Sequence, residues 1–98
     1  IYGAGAFGQL LVREMRANQH WRMNPVAFID DDPAKLHRWI VGVPVYGGLD
    51  KLESTMRNHD IDQVILSTPE IKSNTEQKIH EISKNIHRPV RRLYMEIK

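Results

Sequence analysis

The 98-residue sequence contains no cysteine. Disulfide scaffolds, zinc–thiolate sites and thiol catalysis are thereby excluded within it. A reducing compartment fits that composition without being required by it. Long apolar runs are also missing: none approaches the roughly 18 residues that a membrane span needs, and no signal peptide is visible. Aromatic residues are sparse, at 7%. One consequence concerns the basic end of the chain. Residues 84–98 carry Lys84, Arg88, Arg91, Arg92 and Lys98 against Glu96, whereas residues 1–83 carry nine Lys/Arg against eleven Asp/Glu. Without a stacking platform among those charges, the segment reads as a solvated strand edge and linker, and nucleic-acid binding is not supported.

The remaining composition is that of an ordinary soluble domain, 41% hydrophobic and 27% charged. Ninety-eight residues suffice for one small domain with a single core and are too few for two.

The distinctive chemistry lies at the start, in Ile1-Tyr2-Gly3-Ala4-Gly5-Ala6-Phe7-Gly8. Glycines at G-x-G-x-x-G spacing between a strand and a helix build the turn that cradles a dinucleotide pyrophosphate. Gly3 permits the tight turn, Gly5 lets backbone approach phosphate, and Gly8 lets helix pack on strand. The helix beginning near Ala6 and Phe7 offers unpaired N–H groups and a positive dipole end. Asp30-Asp31-Asp32 follows about twenty residues on, where a carboxylate holds ribose hydroxyls. Asp30 is the first ribose candidate and Asp31 the second. Asp31 and Asp32 also have structural uses, Asp32 as a helix cap. A carboxylate there repels a 2′-phosphate and favours NAD or a nucleotide sugar over NADP, although Lys35 and Arg38 lie close enough in sequence to weaken that preference. Ser67-Thr68-Pro69 follows a later strand at the same edge; its hydroxyls either contact ligand or satisfy loop backbone.

Periodicity supplies the frame. Phe7, Leu10, Leu11 and Met15 predict an amphipathic helix over Phe7–Asn18. Pro25–Ile29 reads as a strand buried on both faces. Asp32-Pro33 predicts an N-cap and a brief helix over Ala34–Trp39. Ile40–Tyr46, interrupted by Gly42 and Pro44, belongs at a sheet edge or in a loop. A helix over Leu49–Asn58, a strand at Val64–Leu66 and a capping box at Ser73–Glu76 follow. The capping box opens a helix with an Ile79, Ile82, Ile86 stripe, and Val90–Tyr94 reads as the last strand. This alternation predicts a three-layer Rossmann-like α/β domain over 1–98, with a parallel sheet of about five strands in the order 3-2-1-4-5 and helices on both faces. Only Ile1 and Tyr2 precede Gly3, whereas such a strand normally runs about five or six residues. The sequence is therefore expected to be part of a longer polypeptide.

Other motifs carry little. Tyr94 and Lys98 have the spacing of a short-chain dehydrogenase pair, but that pair requires a helix where a strand is predicted. The five histidines are scattered, so no metal site is expected. His20, His59 and His87 fall near predicted helix ends, where imidazole partners the dipole. Trp21 and Trp39 read as packing residues. No catalytic constellation is found.

Gly3–Gly8, Val26-Ala27-Phe28-Ile29-Asp30-Asp31-Asp32-Pro33, Gly42-Val43-Pro44-Val45-Tyr46-Gly47 and Asp62–Pro69 occur in an order that resembles a known family. It is the N-terminal Rossmann, CoA-binding-like domain of bacterial polysaccharide-biosynthesis nucleotide-sugar epimerases/dehydratases. The resemblance implies a non-catalytic domain that binds NAD or a nucleotide sugar. It further implies a membrane-associated parent at the cytoplasmic side of the bacterial inner membrane, with a downstream catalytic domain in the same chain, and leaves a homo-oligomer open. Two other families share much of the pattern: sugar-nucleotide-binding domains of left-handed-helix acyltransferases, and the NAD(H) domains of redox-responsive regulators. The acyltransferase domains typically carry histidine shortly after the glycines, where this chain has Phe7-Gly8-Gln9.

Overall fold

The computed structural model describes residues 1–95. Among the described residues, five strands and three α-helices are formed: α1 Ala6–Ala17, β1 Phe28–Ile29, β2 Trp39–Ile40, β3 Val43–Gly47, α2 Leu52–Asn58, β4 Val64–Leu66, α3 Ser73–Asn85 and β5 Val90–Arg92. Short 3-10 turns stand at Gln19–Trp21, Pro33–Lys35 and Leu49–Lys51.

The fold is mixed α/β with a small parallel sheet. β3 lies between β1, which it pairs in parallel, and β2, which it pairs antiparallel. β4 and β5 form a second parallel ladder. Tyr2 joins the two halves, bridging Ile29 and Leu66 in parallel. One continuous parallel sheet of about five strands was expected, and the molecule departs from it in two ways. The central position is a one-residue bridge, and the outer edge is antiparallel. The second departure has a local cause. Val41 and Gly42 both take positive φ, 45° and 76°, the paired left-handed conformation of a tight two-residue hairpin turn. Gly42 thus turns the chain where it was expected to interrupt a strand. β3 is interior and tolerates Pro44 because Val45, opposite Phe28, is where pairing with β1 begins.

Alternation of side chains places helices on both faces. Val12 of α1 packs with Phe28, Val43 and Val45, and Leu11 and Met15 pack with Ile65. On the other face, Leu52 and Met56 of α2 and Ile79 of α3 close over Ile29, Val64 and Leu66. Ile82 and Ile86 complete the α3 stripe as expected.

Several local expectations are corrected. The helix expected over Ala34–Trp39 is only the Pro33–Lys35 turn: Asp32 caps it as foreseen, accepting the Ala34 N–H at 3.0 Å. His37 then turns left-handed, φ 64°, and its N–H donates to Val45 O, which draws the chain into the β2–β3 hairpin. Trp39, expected to pack, is 71% exposed on the outermost strand. Trp21 does pack, against the Leu11–Met15–Ile65 cluster. The capping box does not form. Lys72 holds the N-cap position without a side-chain hydrogen bond, and Glu76 is ion-paired with Arg92 of β5 instead. A tertiary ion pair has displaced a local hydrogen bond.

Ser73→Ala should therefore leave stability within about 0.5 kcal/mol, where a true cap would cost about 1 kcal/mol. Ile79→Ala, by contrast, should cost about 2–5 kcal/mol. Urea denaturation of the two variants separates these cases.

Candidate functional site

Four loops meet at the carboxyl edge of the sheet, and hydrogen bonds hold them together. The first is the glycine loop. Gly3, at φ 102°, donates its N–H to Ile29 O at 2.8 Å. Gly8 is buried so tightly that a Cβ would stand 2.0 Å from Gly3 O. Gly5 differs from both: its backbone is extended, and a Cβ there would have nothing within 4 Å. Gly5 is the N-cap of α1 and no side chain caps it. The Gln9 N–H makes the bond back to Gly5 O, so the N–H groups of Ala6, Phe7 and Gly8 precede the first such turn. A helix start with open space in front of it is what a phosphate needs.

The second loop follows β1. Asp30 Oδ2 accepts the Ala4 N–H at 2.8 Å and lies 3.3 Å from Lys35 Nζ; Oδ1 accepts the Asp32 N–H at 2.9 Å. Burial alone would raise this carboxyl, but the Ala4 and Asp32 amides and the Lys35 ammonium outweigh it and hold its pKa below the usual value. Asp31 faces elsewhere. It accepts the Tyr2 hydroxyl and, through Oδ1, the Leu49 N–H at 2.8 Å. Burial first, and then the Asp31 carboxylate, pushes Tyr2 well above an ordinary phenol, so Tyr2 stays a donor.

The third loop is Gly47-Gly48, tied to the second by the Asp30 N–H to Gly47 O at 2.8 Å. The fourth is Ser67-Thr68-Pro69. Ser67 is fully buried, and its hydroxyl donates to Tyr2 O at 3.1 Å. Thr68 is half-buried beside Gly3, its Oγ1 accepting the Glu70 N–H, and Pro69 is exposed. The structure therefore brings Gly3, Gly5, Ala6, Phe7, Gly8, Asp30 and Ser67 to one edge. It directs Asp31 and the Ser67 hydroxyl at the chain itself.

Tyr2 and Gly47-Gly48 were not singled out from sequence as parts of this edge. The paired glycines were legible as a break, but their approach to Asp31 depends on β3 lying beside β1.

A cavity of about 220 Å³ opens between the second and third loops, walled by Asp30, Asp31, Asp32, Leu36, Gly48 and Asp50 among others. A larger one, about 410 Å³, sits near Ile1, Val26, Ala27 and Gln63 and includes no residue of the Gly3–Gly8 turn. The smaller cavity is the one that adjoins the convergent polar groups. Among the described residues no group of three or more His, Cys, Asp or Glu is placed to hold a metal ion. Nor is any helix there long and apolar enough to cross a membrane. Tyr94 follows β5 and accepts from Arg92 at 3.2 Å, while Lys98 lies outside the described residues. His59 stacks on Tyr46, ring centroids 4.6 Å apart.

Known proteins share this sequence pattern. Residues 1–93 match the family described as the CoA-binding domain. The chain is 33% identical, over 81 residues, to the probable polysaccharide biosynthesis protein EpsC of Bacillus subtilis (strain 168), covering 83% of this chain and 14% of that protein. It is 32% identical, over 85 residues, to the capsular polysaccharide biosynthesis protein CapD of Staphylococcus aureus, covering 86% of this chain and 14% of that one. No solved structure matches. The chain belongs to the CoA-binding domain family, and the resemblance to such domains of polysaccharide-biosynthesis proteins is borne out. It spans 14% of the length of these relatives.

Two consequences follow from the loop contacts. Gly8→Ala should destabilise the fold by at least about 1–3 kcal/mol, while Gly5→Ala should leave it intact, as read by thermal melting. Asp30 stabilises the fold when charged, because its pKa is lower folded than unfolded. That contribution is complete above the unfolded value near 4 and is lost as pH falls through the folded value. Asp30→Asn should accordingly flatten the loss of stability as pH falls below about 4.

Proposed function

We propose that this member of the CoA-binding domain family is a non-catalytic module that binds a nucleoside diphosphate within a bacterial polysaccharide-biosynthesis protein. NAD, a nucleotide sugar and CoA share that group. The diphosphate lies on the start of α1, against Gly5, with the N–H groups of Ala6 and Phe7 toward its oxygens. Asp30 faces the ribose and Thr68 borders the same edge. The observation that carries this reading is the uncapped α1 N-terminus at Gly5, where no residue beyond its chain neighbours comes within 4 Å of a would-be Cβ.

The same reading extends to the parent protein. Its chemistry is a nucleotide-sugar dehydration or epimerisation carried by a downstream domain, at the cytoplasmic face of the inner membrane. The two relatives are polysaccharide-biosynthesis proteins by name, and each is far longer than this chain. The polar side chains beside the glycine loop, Asp30, Ser67 and Thr68, are engaged in hydrogen bonds with backbone, which accords with binding without chemistry in this domain.

Thermal melting against NAD, NADH, UDP-N-acetylglucosamine and CoA tests the reading. A ligand at about a hundred times its dissociation constant should stabilise by about 2.7 kcal/mol, several degrees for a domain this small. Gly5→Val should abolish the shift while the protein remains folded. Asp31→Ala should lower the melting temperature, through loss of the Tyr2 and Leu49 bonds, yet keep the ligand-induced shift. Absence of any shift in the parent sequence, or its persistence in Gly5→Val, would sink the proposal.

A further inference from the structure

We infer that this chain associates with a second copy of itself through the outer edge of β2, the two strands pairing antiparallel about a two-fold axis at Trp39. The inference rests on the sheet edge and does not depend on the nucleotide reading.

Taken across the Tyr2 bridge, the strands run β2-β3-β1-β4-β5, so β2 and β5 are the two outer edges. An open edge is a template for a further strand, and charged side chains are a common guard against it. β5 carries that guard. Arg91 and Arg92 are both exposed there, and a two-fold pairing centred on Arg91 would set it opposite its own copy, like charge against like. β2 instead carries Trp39 and Ile40, with Trp39 71% exposed.

The hydrogen-bond phase of β2 makes its free edge usable. Val45 N–H donates to Arg38 O at 2.8 Å, and the two-residue turn closes between Ile40 and Val43. Arg38 and Ile40 therefore turn their backbone groups toward β3. Trp39 lies between them, opposite Pro44, which has no N–H to offer. Alternation points the Trp39 N–H and C=O outward. A residue whose donor and acceptor both face out can exchange both bonds with its own copy, the self-complementary contact that a two-fold axis requires.

That register also fixes which side chains meet. Trp39 stands directly opposite its copy, on the sheet face it shares with Pro44 and Tyr46. Arg38 falls opposite the copy's Ile40 and His37 opposite the copy's Val41, so no like charges face each other. Arg38 is moreover held back by the bond from its Nε to Ala34 O at 3.1 Å. Ile40 stays packed on the Val12–Phe28 cluster of the other face. An aromatic pair, flanked by half-buried Pro44 and Tyr46, supplies the apolar centre of the contact. The contact is small, so the association is weak and depends on concentration.

Sedimentation equilibrium of the chain between about 10 μM and about 1 mM should show its mass rising toward twice that of the monomer. Hydrogen exchange followed by NMR gives the local reading: the Trp39 N–H should exchange at least about tenfold more slowly at the top of that range than at the bottom. Trp39→Arg should remain monomeric throughout, while Arg91→Ala, on the other edge, should associate as the unaltered chain does. Trp39 is exposed, so the fold should survive, and Trp39→Thr is a milder variant that also removes the aromatic pair. A chain that stays monomeric to about 1 mM overturns the proposal. So does association that persists undiminished in both Trp39 variants, or that leaves the Trp39 N–H unprotected.

Discussion

Three residues, Ile1–Gly3, hold the two halves of the sheet together, and everything at the carboxyl edge hangs from them. On one side the Ile1 nitrogen donates to Ala27 O at 2.8 Å and Gly3 N–H to Ile29 O at 2.8 Å; on the other, Tyr2 N–H donates to Ile65 O at 2.9 Å. The next residues must leave the sheet at once and start a helix that lies directly on it. Gly8 meets that demand, because its backbone sits where any side chain would strike Gly3 O. The glycine pattern therefore has a packing requirement at one end and an open space at the other. Gly8 belongs to the fold, whereas Gly5 faces outward and is available to a ligand.

The same division of labour separates two adjacent aspartates. Asp30 ties the glycine loop to the turn after β1 and borders the cavity. Asp31, on the same cavity wall, joins Tyr2 to the entry of α2 through the Leu49 amide. Successive residues leaving a strand project to opposite sides, so neighbours of identical chemistry receive different environments. One becomes a candidate ribose contact and the other a brace between the central segment and α2. A low folded pKa at Asp30 and a high one at Tyr2 are two expressions of this arrangement, since amides and an ammonium surround the first, and burial beside a carboxylate governs the second.

A binding module of this kind needs little else. The polar groups that converge at the edge are backbone amides, carboxylates and a buried hydroxyl, arranged to hold loops and receive a ligand. The two polysaccharide-biosynthesis relatives are several times longer than the chain and have most of their length outside the part it matches. Within this segment the proposed binding draws on shape above all, an uncapped helix start left open at Gly5.

Much of this was legible in the residue order, where the information is local. Glycine spacing located α1 to within one residue, continuous apolar runs marked β1 and β4, and Asp32-Pro33 marked a capped turn. The misreadings share one physical cause, which is that a non-local partner prevailed over a local preference. Glu76 pairs with Arg92 of β5 rather than closing a capping box with Ser73. His37 and Arg38 bond to Val45, so a helix expected to reach Trp39 ends after one turn and Trp39 is left on an exposed edge. The sequence by itself determined the two-faced α/β layering and the chemistry available at the glycine turn, because periodicity and backbone sterics act over a few residues. The tertiary structure alone decided which aspartate bonds to the glycine loop and where the Ser67 hydroxyl turns. Those outcomes depend on atoms brought together from distant parts of the chain.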